Sequence, residues 1–165
     1  MAPPRIGLKG IGLLIAGIAA ALLLARVGGI VLPQDARHTP RERRNIETAV
    51  AYYQAAINDL DFAAARRHLG DRYVEHDPAA ADGHAGLRAL LEAARRNGAE
   101  PRASIRRVLA DDNYVVLHTH LTTAADPRGR AVVDIFRFDA DGKIVEHWHV
   151  TQPIPEAAAN GNTMF

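Results

Sequence analysis

Apolar residues between positions 41 and 96 recur every three or four places, which is the spacing of one helical face. A first helix is predicted from Arg41 to Asp59, after a cap at Thr39. A second, shorter helix follows Asp61 and ends at Gly70, and a third runs from His84 to Arg96. The residues predicted to point inward are Ile46, Val50, Tyr53, Ile57 and Leu60 in the first helix, Phe62, Ala65 and Leu69 in the second, and Leu87, Leu90, Leu91 and Ala94 in the third.

After Pro101 the pattern changes to alternation of apolar and polar residues, which predicts strands. Two strands are expected at Ala103–Ala110 and Tyr114–Thr122, and a hairpin occupies residues 131–152. A short strand that begins at Tyr73 precedes them and is ended by Pro78. Helices followed by antiparallel strands predict an α+β fold, in which a curved sheet wraps over a helix and leaves a pocket.

The hairpin is apolar except for a few titratable residues, and such residues in a half-buried strand need partners or have a chemical task. By alternation, Asp134 shares a face with Phe136 and Phe138. On the return strand, His147 and His149 fall with Val145, while Glu146 and Trp148 fall with Ile144. On the strand before the hairpin, His118 and His120 share a face with Val116.

The loop of the hairpin decides which of these faces meet. A four-residue loop at 139–142 pairs Phe138 with Lys143 and places Asp134 opposite His147. A three-residue loop with Gly142 in a bulge places Asp134 opposite Trp148 instead. The residues alone leave both registers open, and the first gathers Asp134, His147 and His149 on one face.

Composition narrows the range of functions. The chain has 165 residues and a formal net charge of +1, which argues against a large nucleic-acid interface. It has no cysteine, so disulfides, thiolate metal sites and cysteine nucleophiles are excluded. It has eight histidines, and several of them fall in predicted strands.

The N-terminal fifth of the chain is organised differently from the rest. Basic residues precede an uncharged apolar run at 10–25, and the apolar character continues past Arg26 to residue 32. This pattern predicts a membrane anchor through residues 10–32, with a cleaved export signal as the alternative. The predicted organisation is an anchor or signal at 1–33, a linker at 34–44 and a domain at 45–165. Signal-like placement favours the extracytoplasmic side, although the arginines that follow the segment favour a cytoplasmic domain.

Several stretches resemble one family over residues 45–165. They are Tyr73-Val74-Glu75-His76-Asp77-Pro78, residues 115–120, Val132-Val133-Asp134-Ile135-Phe136-Arg137-Phe138, residues 142–148, and the ending at 152–165. The chain resembles the nuclear-transport-factor-2-like (NTF2-like) superfamily, and within it the SnoaL-like, polyketide-cyclase-like branch. The resemblance implies a cone of three helices on a curved antiparallel sheet with an internal pocket. It also implies the four-residue loop, and dimerisation through exposed sheet surfaces.

The resemblance also implies a function. Ketosteroid isomerases are distant members of this superfamily, and the strand with Asp134 is similar to the one that carries their protonated aspartic acid. Relatives usually read His-Trp-Asp where this chain reads His147-Trp148-His149, so the chain has imidazole in place of that carboxylate. The expected activity is proton transfer next to the carbonyl of a small hydrophobic molecule, such as aldol-type cyclisation or isomerisation, which needs no cofactor. The candidate catalytic residues are Asp134, His76, His118, His120, His147 and His149, and the candidate pocket residues are Asp77, Phe136, Phe138, Val116 and Val145.

Two other functions remain open from the sequence. One is a non-catalytic binding module tethered to the membrane. The other is a metal site in which the two His-x-His pairs meet Asp134, although such short motifs are common by chance. Structural roles are also open, since Asp134 could pair with Arg106 or Arg107, and His76 could close the turn at Asp77-Pro78.

Overall fold

The computed structural model describes residues 26–27, 30–31 and 38–165 of the chain. The helical elements are α1 (Pro40–Tyr53), continued by a π-helical turn (Gln54–Asn58), α2 (Phe62–Arg66) and α3 (Gly83–Arg96). The strands are β1 (Arg26–Val27), β2 (Ile30–Val31), β3 (Leu69–Glu75), β4 (Arg102–Asp111), β5 (Tyr114–Thr122), β6 (Arg130–Phe138) and β7 (Ile144–Pro153). Helices α1 and α2 come before the main sheet, α3 lies between its strands β3 and β4, and the other four strands follow in succession, which confirms the α+β prediction.

Most of the predicted membrane segment at 10–32 lies outside the described residues. Arg26–Val27 and Ile30–Val31, which are described, pair as two short antiparallel strands. In the part of the chain that the structure describes, no helix is long and apolar enough to cross a membrane. Helix α1 begins at Pro40, so its first turn lies in the stretch predicted as the 34–44 linker.

The helix starts agree with the sequence, whereas two details of the helices differ from it. The Thr39 hydroxyl accepts the amide of Glu42, whose carboxylate accepts the amide of Thr39, so α1 begins with a capping box. The prediction that Gly70 ends the second helix is wrong, because α2 stops at Arg66 and Gly70 lies in β3. A Cβ at Gly70 would meet Val145 at 2.9 Å, so the close packing of β3 on β7 needs a glycine there. Leu90, predicted to point inward, is 49% exposed.

The main sheet has five strands in the order β3-β7-β6-β5-β4. Strands β4 to β7 pair with one another in antiparallel fashion, which confirms the predicted antiparallel sheet, and β3 at one edge is parallel to β7. One face of the curved sheet, called the inner face below, packs against the helices. Its buried residues join those of α1 in one core, which includes Val50, Tyr53, Val115, Leu117, Phe136, Phe138 and Ile144.

The β6–β7 hairpin follows neither of the two predicted registers. The Asp139 amide donates to the carbonyl of Lys143, and Gly142 has φ +75°, so the turn is the three-residue loop with a left-handed glycine. Phe138 then pairs with Ile144, but Arg137 pairs with Glu146, so Val145 is an extra residue in β7. The extra residue moves every later pair by one position, and Asp134 therefore lies opposite His149.

The bulge at Val145 decides which side chains face the core. Without it, Ile144 and His147 would fall on opposite faces, since side chains alternate along a strand. With it, Ile144, His147 and His149 all point to the inner face, and Glu146 and Trp148 point to the outer face. The predicted grouping of Ile144 with Glu146 and Trp148 is therefore wrong. The predicted gathering of Asp134, His147 and His149 is confirmed by a register that the sequence did not indicate.

Candidate active site

Asp134 is the centre of a polar cluster inside an apolar core. It lies in the middle of β6 on the inner face and is only 2% exposed. Its Oδ1 accepts hydrogen bonds from Nε2 of His147 at 3.0 Å and from Nδ1 of His149 at 2.8 Å. Burial alone would raise the pKa of Asp134, but the hydrogen bonds and charges of the two rings outweigh it and hold that pKa below its usual value. Asp134 is therefore an ionised carboxylate. The alternative in which it pairs with Arg106 or Arg107 is wrong, because those arginines contact His120 and His118 instead.

His147 lies between two carboxylates. Its Nε2 faces Asp134, and its Nδ1 lies 2.9 Å from Oε2 of Glu75. An ionised carboxylate can only accept, so both ring nitrogens must carry protons, and the ring is an imidazolium. Burial opposes this charge, yet Asp134 and Glu75 together raise the pKa of His147 to about 9. The ring of Phe136 stacks on it at 4.8 Å between centroids, which fixes its plane.

His149 is the cluster member nearest to solvent. Its side chain is 24% exposed, compared with 13% for His147 and 2% for Asp134. The hydrogen bond from its Nδ1 to Asp134 raises the pKa of His149 above its ordinary value, and partial burial opposes that shift. Among the described residues, its Nε2 has no hydrogen-bond partner. That nitrogen can therefore accept a proton from a bound molecule or donate one to it.

Glu75 is the site residue that sequence reasoning missed. It ends β3, pairs in parallel with His147 of β7, and has only 7% of its side chain exposed. Its Oε2 accepts a hydrogen bond of 2.6 Å from the Tyr73 hydroxyl, and its Oε1 accepts the Asp77 amide. The alternation of Tyr73 and Glu75 at the end of a strand was the available signal, because it places both side chains on one face.

Three further polar side chains of the core lie near Asp134. Burial and the charge of Asp134 raise the pKa of the Tyr53 hydroxyl, and burial likewise raises the pKa of Tyr52, so both hydroxyls keep their protons. The second carboxylate oxygen of Asp134, Oδ2, and the hydroxyl of Thr119 are buried, and neither has a hydrogen-bond partner in the described part of the chain. Unpaired buried polar atoms are costly, so this side of Asp134 is an unfavourable polar spot enclosed in the core.

His118 and His120 do not belong to the site. On β5 the residues that point to the core are Val115, Leu117 and Thr119, so the two histidines lie on the outer face. His118 Nδ1 lies 3.0 Å from Arg107, and His120 Nε2 lies 2.9 Å from the carbonyl of Arg128. The ring of Phe165 packs against both imidazoles. Their prediction as catalytic residues is wrong, because the pleat of β5 turns them away from Asp134.

His76 is also separate from the cluster. It is exposed after the end of β3, and its ring stacks on Trp148 at 4.5 Å, on the outer face. Its backbone amide donates to the carbonyl of His147, so its main chain extends the pairing of β3 with β7. The prediction that the His76 ring acts next to Asp134 is therefore wrong, and its contact with Trp148 is one of packing.

The predicted pocket residues divide between the two faces. Phe136 and Phe138 are buried on the inner face, and Phe136 touches the site through His147. Asp77 is half-buried, and its charge contributes to the raised pKa of His149, after the larger effects of Asp134, burial and His147. Val116 pairs with Ile135 on the outer face, and Val145 lies in a surface groove with Arg72 and Glu146, so these two are wrong as pocket residues.

The predicted metal site of two His-x-His pairs cannot form, because His118 and His120 lie on the outer face. The remaining donor atoms, one each from Asp134, His147 and His149, all lie within 4.8 Å of one another. That spacing suits a cation, but both rings already donate to one oxygen of Asp134. The same three side chains therefore form a hydrogen-bonded network as they stand.

Comparisons with known proteins agree with this fold. The family model described as "SnoaL-like domain" matches residues 49–147, which is more than half of the chain. No curated protein sequence matches the chain. An NTF-2 like protein of unknown function from Burkholderia xenovorans LB400 has a TM-score of 0.60 and 23% identity, over 73% of this chain and 92% of that one.

Two other solved structures carry more specific descriptions. A presumed polyketide cyclase from Bacillus cereus ATCC 10987 has a TM-score of 0.60 at 18% identity, over 72% of this chain and 81% of that one. AclR, a presumed hydroxylase from Streptomyces galilaeus, has a TM-score of 0.54 at 20% identity, over 68% and 81% of the two chains. At these identities the similarity shows the fold, and the resemblance to NTF2-like proteins is confirmed.

Proposed function

Because the chain belongs to the SnoaL-like domain family, we propose that it is an enzyme that transfers protons next to the carbonyl group of a small hydrophobic molecule. The observation that carries the proposal is the pair of hydrogen bonds to Asp134 Oδ1, which leaves a partly exposed imidazole nitrogen on His149. Aldol-type cyclisation and isomerisation both begin with this proton transfer. Two structural neighbours are described as a presumed polyketide cyclase and a presumed hydroxylase, and those descriptions are compatible with an enzyme.

The base in this proposal is His149. In its neutral form the ring keeps a proton on Nδ1, donates that N–H to Asp134 Oδ1 in a hydrogen bond, and has a lone pair on Nε2. Nε2 takes the proton from the carbon next to the carbonyl, and the C–H electron pair moves to form the enolate. Asp134 stabilises the imidazolium that results, and the same Nε2–H later returns the proton to carbon or oxygen.

Asp134 has a different role from the one that the sequence suggested. The expected roles were base or neutral acid, as in the isomerase relatives, and both need an accessible oxygen or a raised pKa. The pKa of Asp134 is lowered instead, and Oδ1 is occupied by two rings. Asp134 therefore orients His149, while the buried cation of His147 adds positive charge close to the developing enolate.

Hydrogen–deuterium exchange at carbon tests the proposal without knowledge of the natural substrate. Hydrophobic ketones, with 2-tetralone first, are incubated with the protein in D₂O and followed by NMR. We expect exchange above the buffer rate, and a loss of roughly 10²–10⁴-fold in His149→Gln. His118→Gln is the matched control, since that ring lies on the outer face, and it should retain the rate.

Three outcomes would contradict the proposal. Ketones that bind the protein without any catalysed exchange would indicate a non-catalytic binding module, and equal rates in wild type and His149→Gln would remove the assigned base. A chelator should leave the exchange rate unchanged. A loss of rate that is restored by one added metal would favour the three-donor metal site at Asp134, His147 and His149.

The location of the enzyme is part of the same proposal. Residues 10–32 hold the domain at a membrane, on the extracytoplasmic side, because a basic start precedes an uncharged apolar run. The full chain should remain in the membrane pellet after alkaline washing, and added protease should degrade it in intact cells whose outer envelope has been opened. Recovery in the soluble fraction, or protection from protease, would contradict the anchor or its orientation respectively.

Association of two copies is proposed for the outer face of the sheet. That face and its edge expose large apolar side chains, namely Leu109, Tyr114 and Val150. Light scattering of the purified protein distinguishes a dimer from a monomer.

A further inference from the structure

Glu75 is a buried carboxylate that the proton transfer described above does not use. It is held on three sides, by the hydroxyl of Tyr73, by the amide of Asp77 and by the ring of His147. Burial would raise the pKa of Glu75, but His147 and these hydrogen bonds keep it below its usual value, so Glu75 is ionised. Because this carboxylate is ionised, held in place and 2.9 Å from Nδ1 of His147, it fixes the protonation state of the His147 ring.

We infer that Glu75 is a positioning residue. It accepts a hydrogen bond from the second N–H of His147 and holds that ring as a fixed cation between two carboxylates. His149 is then the member of the cluster that exchanges protons with the bound molecule. The inference rests on the proposed function for the role of His149, but the part that concerns His147 stands on the geometry alone.

The charges of the cluster explain why the arrangement needs both carboxylates. Asp134 accepts from two rings through one oxygen, so it can balance only one of two imidazolium charges. Glu75 balances the other, so the four side chains are neutral together once His149 has taken a proton and both rings are cations. Without Glu75, that state would hold one buried positive charge in excess, and buried unbalanced charges are strongly disfavoured.

Glu75 also prevents His147 from competing with His149 as a base. If His147 could lose its proton near neutral pH, it would become a second titrating base that shares Asp134 with His149. Its exchange would be unproductive, because its side chain is only 13% exposed. Glu75 moves this ring out of the neutral range, so one imidazole alone responds to the substrate.

The groups that face His147 come from every element packed around it. They are Tyr73 and Glu75 of β3, Asp134 of β6, His149 of β7, and the hydroxyls of Tyr52 and Tyr53 of α1, which stay neutral. Glu75 and Asp134 are the carboxylates that contact the ring, and Tyr73 contacts Glu75. Glu75→Gln therefore removes one of the two negative charges while it preserves the size of the side chain.

The test is a ¹⁵N NMR titration of the histidine rings in the full chain, with Glu75→Gln and the control Glu146→Gln. Glu146 is the neighbour of His147 in β7, but it pairs with Arg137 at 2.6 Å on the outer face. In wild type and in Glu146→Gln, both nitrogens of His147 should be protonated at pH 7. In Glu75→Gln the His147 midpoint should fall by roughly 1–3 pH units, and Nδ1 should lose its proton near neutral pH.

The outcomes separate this inference from the proposed function. An unchanged His147 titration in Glu75→Gln, or an equal change in Glu146→Gln, would overturn the role of Glu75. A lower melting temperature without altered ring protonation would also overturn it, since it would make Glu75 merely structural. Tyr73→Phe, which leaves the charge in place, should shift the midpoint less. Failure to find any exchanging ketone affects only the proposed function, because the titration uses no substrate.

Discussion

At the scale of single residues, His147 shows how two neighbours set the charge of a third group. Its ring is mostly buried, which favours the neutral form, but carboxylates on both sides favour the cation. Asp134 and His149 could be predicted from the sequence because they stand out in an apolar hairpin. For Glu75 the sequence indicates only a face shared with Tyr73, because its contact with His147 depends on the parallel pairing of β3 with β7, which joins residues 72 positions apart.

The stability of the protein should depend on the charge of His147. Its pKa is raised from 6.5 to about 9 on folding, so its contribution is complete below about pH 6.5 and is lost as the pH rises through about 9. We expect the free energy of unfolding to fall over this interval by an amount on the order of 3 kcal/mol. Urea unfolding at several pH values measures this, with His147→Gln as the comparison.

The His147→Gln variant is the comparison for the urea unfolding experiment. His147→Gln should be less stable at pH 6, and its stability should change much less between pH 6.5 and 9. A wild-type curve that is flat over this interval would mean that the ring is neutral in the folded protein.

At the scale of elements, the hairpin carries the site through two local irregularities. The three-residue turn and the extra residue Val145 each move the register by one, relative to the four-residue turn that the resemblance implied. Alternation predicted which residues share a face within each strand of β5 and β6, since those strands are regular. It failed at Ile144 and Val145, because a bulge has no distinctive residue pattern and is set by packing on the neighbouring strand.

The turn glycine gives a test at this scale. Gly142 has φ +75° in the tight turn that sets the register of β6 and β7, so Gly142→Ala should cost roughly 1–2 kcal/mol of stability. Gly161→Ala is the control, since Gly161 has φ +70° in the exposed C-terminal tail after β7, where the backbone can relax without disturbing the sheet. Thermal melts should show a clear loss for the first variant and little for the second. Equal losses would show that the strain is not specific to the hairpin.

At the scale of the whole molecule, the two faces of the sheet carry different sets of titratable residues. The inner face holds the charged cluster among core residues, and the outer face holds His118, His120 and the C-terminal tail. A cavity of about 510 Å³ lies between that tail and the loop with Pro127, away from Asp134. The order of elements and the family could be predicted from sequence, because long periodic segments and motifs carry them. The assignment of each histidine to a face needed the three-dimensional register.

The pH dependence of ketone exchange tests the central claim most directly, because it identifies the group that moves the proton. If neutral His149 is the base, the rate should rise with pH, with a midpoint above 6.5, since Asp134 raises the pKa of that ring. The rise should be absent in His149→Gln and present in His118→Gln. A midpoint near 4 would assign the proton transfer to a carboxylate and would contradict the account.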